Sequence, residues 1–214
     1  MLVDKPKGIT SFTVIRILRR KLGIKKIGHA GTLDPLATGL MILGVGKGTK
    51  KLTNLIKLDK DYEAEIVLGE QRTTGDMEGE ITESRNISKN QFTKSEIEKT
   101  LKKMVGDLDL QVPIYSAIKK DGQALYKKAR KGQEVNAPIK TMKVISGELN
   151  KVKYKNNRVH LFVKFSVGSG TYIRSLAEEF GRRLGVPATL GNLCRTRVGE
   201  FDIKNAYKIK NHRN

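Results

Sequence analysis

One cysteine, Cys194, and no tryptophan occur among the 214 residues. A lone cysteine closes no disulfide within the chain, which fits a reducing compartment and removes any multi-cysteine zinc site. Histidine is nearly as scarce: His29, His160 and His212 lie far apart in sequence, so no metal centre is expected. No apolar run approaches the twenty residues of a membrane-spanning helix, and the opening MLVDKPKG lacks the hydrophobic stretch of a signal peptide. No membrane partner is therefore expected, and the cytoplasm is the expected compartment. Acidic residues are also scarce, but only locally. Between Lys7 and Asp59 the sole acid is Asp34, set against eleven lysines and arginines counting Lys7. That carboxylate lies in GHAGTLDPLATG, residues 28–39, a glycine-flanked stretch that favours neither helix nor strand.

Basic residues are what the chain has in excess. Lysine and arginine number 42 against 22 acids, a formal charge of +20, which is beyond ordinary solubility needs and points to a polyanion such as nucleic acid. Residues 1–60 and 111–165 each carry 13 basic and 3 acidic groups, whereas residues 61–110 carry 7 and 12. Such blocks suggest a basic face with an acidic rear, because phosphate binding needs the positive groups gathered where the phosphates run. An apolar content of 38% over this length supports one substantial core.

Periodicity divides the chain into elements. Ser11 is the expected N-cap of a helix through FTVIRILRRKL, with Val14, Ile15, Ile17 and Leu18 at helical spacing and Gly23 as the stop. LMILGV at 40–45 reads as a buried strand and KKLTNLIKL after it as a helix. Tyr62, Ala64, Ile66 and Leu68 alternate on one face of a strand. Thr93 and Glu96 form a capping-box pattern ahead of an amphipathic helix, SEIEKTLKKM. At about 112–140 a basic excursion contains a turn, KKDGQ, and a short helix, ALYKKARKG. VISGELNKVKY and RVHLFVKFSV flank KNN as a hairpin, and GTYIRSLAEEFGRRLG opens a final helix after Gly170. Without repeats or low-complexity linkers, the expected fold is one α+β domain, a mixed or antiparallel sheet flanked by helices.

The commoner enzyme signatures fail on spacing. GVGKGTKK at 44–51 lacks the GxxxxGK[ST] spacing of a P-loop and the glycines of a dinucleotide fingerprint. No nucleophile elbow, cysteine pair or HExxH occurs. What remains is chemistry run by an acid, a base or a carboxylate nucleophile without a cofactor, for which Asp34 is the obvious candidate.

DKPKGITS at 4–11, GHAGTLDPLATGLMILGVGKGTK at 28–50, DYEAEIVLGEQRTTGD at 61–76, PIYSAIKKDGQALYKKARKG at 113–132 and GTYIRSLAEEFGRRLG at 170–185 together resemble the bacterial TruB family of tRNA pseudouridine synthases. The likeness covers nearly the whole chain with its motifs in family order. It implies the pseudouridine synthase catalytic fold and conversion of the uridine at tRNA position 55, in the T arm, to pseudouridine. It also implies a monomer that needs no cofactor, metal or protein partner.

The resemblance also implies roles for particular residues. Asp34 is the catalytic aspartate, acting either as a covalent nucleophile or as the base that generates a glycal. If buried, that carboxylate needs a cation to stay ionised, and Arg174, in the first turn of a helix where the macrodipole disfavours positive charge, is the implied partner. Tyr62 matches the tyrosine that stacks on the target ring, Leu193 the pocket leucine and His29 the histidine that steadies the flipped-out RNA. Lys5, in DKP, supports the architecture. The chain ends at Asn214 without the C-terminal RNA-binding, PUA-like domain usual in the family, so Lys119, Lys120, Lys127, Lys128, Arg130 and Lys131 in the excursion are expected to hold RNA, with a steep salt dependence of tRNA affinity that a titration would check. DKP so near the start leaves the first strand expected to lack its usual partner. Two other readings remain: a guide-RNA-dependent synthase subunit, against which PLATG at 35–39 resembles the stand-alone type, and a non-catalytic RNA-binding or tRNA-folding protein.

Overall fold

A computed structural model describes residues 1–116, 118–120, 122–130, 133 and 135–209, with only the backbone of 119, 120, 124, 127 and 130. The first half of the chain runs β1 (Leu2–Lys5), α1 (Ser11–Leu22), β2 (Ile27–His29), β3 (Thr38–Val45), a 3-10 turn (Gly46–Lys51), α2 (Leu52–Leu55), β4 (Lys60–Leu68), β5 (Glu70–Arg72), β6 (Ile81–Ser84), α3 (Lys94–Lys103) and β7 (Gly106–Gln111). The second half runs β8 (Lys119–Lys120), β9 (Gln123–Ala124), α4 (Leu125–Arg130), β10 (Ile139–Lys155), β11 (Arg158–Val167), α5 (Ile173–Arg183), β12 (Ala188–Val198), β13 (Phe201–Asp202) and β14 (Tyr207–Lys208).

Ten strands form one mixed sheet in the order β14-β1-β3-β12-β4-β11-β10-β7, with β2 on β3 and β13 on β12. β1 is paired on both edges, antiparallel to β3 and parallel to β14, so the expectation of an unpartnered first strand is corrected. Strict alternation makes β11 a core strand: Val159, Leu161, Val163, Phe165 and Val167 are all buried. Asn156 and Asn157, at φ 51° and 55°, close its hairpin with β10. Helices α1, α3 and α5 cover one face of the sheet, bringing Leu18, Leu101 and Phe180 into the same apolar cluster as β4 and β11.

Two further local expectations change. The N-cap of α1 is Thr10, whose side chain accepts from Thr13 N at 3.0 Å, and Ser11 is the first helical residue. KKLTNLIKL forms a 3-10 turn and a single α-turn, whose Leu52 and Leu55 pack with Leu58 in a second cluster beneath β3. The capping box at Thr93 and Glu96 is formed as expected. Val112, Leu125, Ala137 and Met142 give the basic excursion a small apolar core of its own.

Candidate active site

Asp34 lies in the loop between β2 and β3, a segment pinned through its backbone groups, in large part by side chains from elsewhere in the chain. Ser11 Oγ donates to Leu33 O at 2.9 Å and accepts from Leu33 N at 2.8 Å, which ties the loop to the start of α1. Pro35 O accepts from Gly8 N at 2.8 Å, and Ala30 N donates to Ile42 O at 2.9 Å. Glycine is required where the loop enters β3. Gly39 has φ 110°, and a Cβ there would fall within 3 Å of the Arg195 backbone on β12.

Arg195 is the residue that sequence reasoning missed. It is 1% exposed and among the largest fully buried side chains. Its Nε donates to Leu40 O at 2.8 Å, its Nη2 to Gly31 O at 3.1 Å and its Nη1 to Thr32 O at 3.5 Å. One guanidinium therefore spans both ends of the Asp34 loop through carbonyl oxygens. Replacing Arg195 with Met should strand those acceptors, costing about 3 kcal/mol and lowering Tm by on the order of 10 °C; a thermal melt showing no shift would contradict this role.

The carboxylate itself is 41% exposed, so Asp34 is not the buried acid for which a cation would be obligatory. It is nonetheless paired. Arg174, at the N-terminal turn of α5, brings Nη2 to 3.1 Å from Asp34 Oδ2 while its own side chain is 6% exposed. The same guanidinium donates to Thr74 O at 2.8 Å and to Tyr115 O at 3.0 Å. Its Nε lies 3.9 Å from Asp76 Oδ2, another acid outside the sequence-based candidates. Asp76 is 4% exposed, and its Oδ1 accepts from Thr74 Oγ1 at 2.5 Å and from Glu78 N at 3.1 Å. A fork with fixed planar geometry thus joins the Asp34 loop, the loop after β5 and the root of the basic excursion.

Charge is concentrated around this pair. Lys5 is fully buried, and its ammonium donates to Ile9 O at 2.7 Å, Pro6 O at 3.0 Å and Pro35 O at 3.4 Å. Burial lowers its pKa to about 8, with Asp34 and Glu78 opposing the change. In the unfolded chain Lys5 keeps its proton to higher pH, so the unfolded state binds more protons between about 8 and the ordinary lysine value of 10.5. Its contribution to stability therefore rises with pH across that window. Relative to a Lys5→Met protein, the wild type should gain stability between pH 7.5 and 10, and a difference that stays constant would contradict this. Glu78 has a raised pKa because of desolvation, then Asp76 and Asp34. Burial also pushes the Tyr172 phenol up.

Three more predicted residues, Tyr62, Leu193 and His29, lie on the strands β4, β12 and β2. Tyr62 is 7% exposed in β4, where it is opposite Arg195 in register. Leu193, half-buried on β12, packs against the main core, and its carbonyl accepts from Thr38 Oγ1 at 3.3 Å. His29, half-buried at the end of β2, has a pKa lowered by burial and by the Arg195 charge, so its ring is neutral at pH 7. Of the basic residues expected to hold RNA, Lys128 is half-buried on α4. Lys119, Lys120, Lys127 and Arg130 contribute backbone to β8 and α4, but their side chains lie outside the described residues, as does Lys131 entirely. A groove of about 830 Å³ on the other flank of α5, lined by Glu83, Asp109, Glu178 and Arg182 among others, contains none of the predicted site residues. Among the described residues no cluster of histidine, cysteine or carboxylate could hold a metal ion, and no helix is long and apolar enough to cross a membrane.

Comparison with known proteins gives this geometry a setting. The sequence pattern described as TruB family pseudouridylate synthase (N terminal domain) matches residues 19–173. The tRNA pseudouridine synthase B of Leifsonia xyli is 40% identical over 210 residues, covering 98% of this chain and 70% of that protein. The synthase of the same name from Opitutus terrae is 43% identical over 209 residues, covering 98% of this chain and 84% of that one. Among solved structures, a Cbf5-Nop10-Gar1 complex matches at TM-score 0.71 and 26% identity, covering 97% of this chain and 52% of that one. An H/ACA RNP bound to a substrate RNA matches at TM-score 0.69 and 24% identity, a likeness of fold. The chain spans about half the length of the chains in these two structures.

Proposed function

This chain belongs to the TruB family of pseudouridylate synthases, and within that family we propose that it isomerises the uridine at position 55 of tRNA, in the T arm, to pseudouridine, alone and without a cofactor. The observation that carries the proposal is the 3.1 Å pair between Asp34 and Arg174, with the Asp34 loop pinned at its carbonyl oxygens by the Ser11 and Arg195 side chains. Two relatives at 40% and 43% identity bear the name tRNA pseudouridine synthase B, which supports tRNA as the substrate class.

Pseudouridine formation breaks the bond from the ribose to a ring nitrogen and remakes it to carbon 5, with no redox change and no net hydrolysis. A positioned carboxylate is sufficient for the first step, whether it attacks covalently or removes a sugar proton. Asp34 has the exposure to meet a nucleotide, and Arg174 holds its Oδ2 and so restrains the carboxylate. The reacting base must leave its stack, at a cost of a few kcal/mol. Tyr62 stacks on the extruded ring and Leu193 packs near it, returning part of that cost. His29, neutral at pH 7, steadies the flipped strand by hydrogen bonding rather than by charge. Lys5 and Arg195 keep the Asp34 loop in register. The basic excursion holds RNA, and the whole of residues 1–214 acts as one catalytic domain. The protein works as a cytoplasmic monomer.

The test is product mapping on an unmodified tRNA transcript with no guide RNA and no other protein present. A single pseudouridine at position 55, absent when that uridine is replaced by cytidine, is the expected result. Product only with an added guide RNA would favour the guide-dependent reading, and tRNA binding without product would favour the RNA-folding one.

A further inference from the structure

Helix α1 presents to solvent a face that the Asp34 site does not use. Phe12, Arg16 and Arg20 recur at four-residue steps and so form one stripe along the helix. All three are exposed, Phe12 to 61%. The Arg19 guanidinium lies 5.8 Å from the Phe12 ring centre, and its Nη2 donates to Ile27 O at 3.3 Å. At the far end of the helix, the Lys21 ammonium lies 4.8 Å from the ring of Tyr207 in β14 and donates to its hydroxyl at 2.9 Å. Tyr207 is 50% exposed. Residues 8–33 contain six lysines and arginines and no acid.

The N-terminal end of α1, where the stripe starts, is tied to the Asp34 loop: the buried Ser11 beside Phe12 bonds Leu33, the neighbour of Asp34. Exposed aromatic rings interleaved with cations are what a flexible nucleic acid strand requires: planes for bases to stack on and charges for phosphates. A lipid surface fits less well. The apolar face of α1, Val14, Ile15 and Leu18, is already spent in the core and is not available for insertion.

We infer that the Phe12–Arg16–Arg20 stripe is a docking track for the RNA that flanks the reacting nucleotide, with Arg16 and Arg20 on phosphates and Phe12 stacked on an unpaired base. The inference rests on the tRNA reading only for the identity of that RNA.

Its test is fluorescence anisotropy of the full chain with unmodified tRNA transcript over a series of salt concentrations. Phe12→Ala should bind about tenfold more weakly with an unchanged salt slope, and Phe12→Trp should restore affinity. Arg16→Gln/Arg20→Gln should weaken binding and reduce the slope of log affinity against log salt by about one to two, with Arg16→Lys/Arg20→Lys recovering the slope. Lys99→Gln/Lys102→Gln removes the same charge from α3, at the other end of the sheet, and should change neither quantity. Wild-type affinity and slope in the stripe variants would overturn the inference, as would an equal loss in the α3 variant. Loss of binding to phosphatidylserine vesicles with RNA affinity intact would also overturn it, by assigning the face to lipid. Because binding is read without turnover, a protein that holds tRNA through this stripe yet forms no pseudouridine would sink the functional reading and leave this one standing.

Discussion

An Asp34→Asn protein is expected to bind tRNA as the wild type does and to form pseudouridine at least about 10,000-fold more slowly. The substitution keeps the shape of the side chain and removes its charge, and with it the nucleophile or base that the reaction needs. Folding should be little affected. Asp34 is 41% exposed, and Arg174 keeps its bonds to Thr74 O and Tyr115 O and its proximity to Asp76. A stability change below about 1 kcal/mol follows, as for exposed ion pairs. Single-turnover rates beside a thermal melt separate the two effects: a slow enzyme with an unchanged melt is expected, and a variant retaining a tenth of the wild-type rate would remove Asp34 from the chemistry.

Arg174→Met should lose both rate and stability. Its guanidinium pairs with Asp76, and both side chains of that 3.9 Å pair are buried. Removing one member of a buried pair leaves the other charge uncompensated, typically costing about 3–5 kcal/mol. For a chain of this length that corresponds to a fall in Tm on the order of 10 °C. Arg174→Lys keeps the charge but cannot reach Thr74 O, Tyr115 O and two carboxylates from one planar group. It should therefore recover part of the stability and little of the rate. Equal melts for wild type and Arg174→Met would show that the fork is not structural.

Elements with a strong local signal were legible in the sequence. β4, β11, α3 and α5 follow from alternation, from the Thr93–Glu96 box and from helical spacing, because in each the residues that bury are set by a period of two or 3.6. The cap of α1 was not. Thr10 and Ser11 are both competent caps, and the choice is made by Leu33, 22 residues on, which engages the Ser11 hydroxyl. The helix expected over KKLTNLIKL shortens to a turn, since its leucines need only reach the cluster beneath β3.

The site divides in the same way. Asp34 stood out as a lone acid among basic residues, whereas Asp76 sits in the acidic segment, where one more carboxylate draws no attention. Arg195 was hidden by RTR, which reads as surface charge. Its signal was available in the alternation of β12: Arg195 falls two residues after Leu193, opposite core-facing Tyr62, and a cation on the inner face of a strand must find buried acceptors.

The most direct test of the central claim is tritium release from an unmodified tRNA transcript labelled at carbon 5 of uridine, incubated with this protein alone. One equivalent per tRNA, released by the wild type and not by Asp34→Asn at matched RNA binding, is the predicted result. No release from folded protein that still binds the transcript would contradict the stand-alone synthase account.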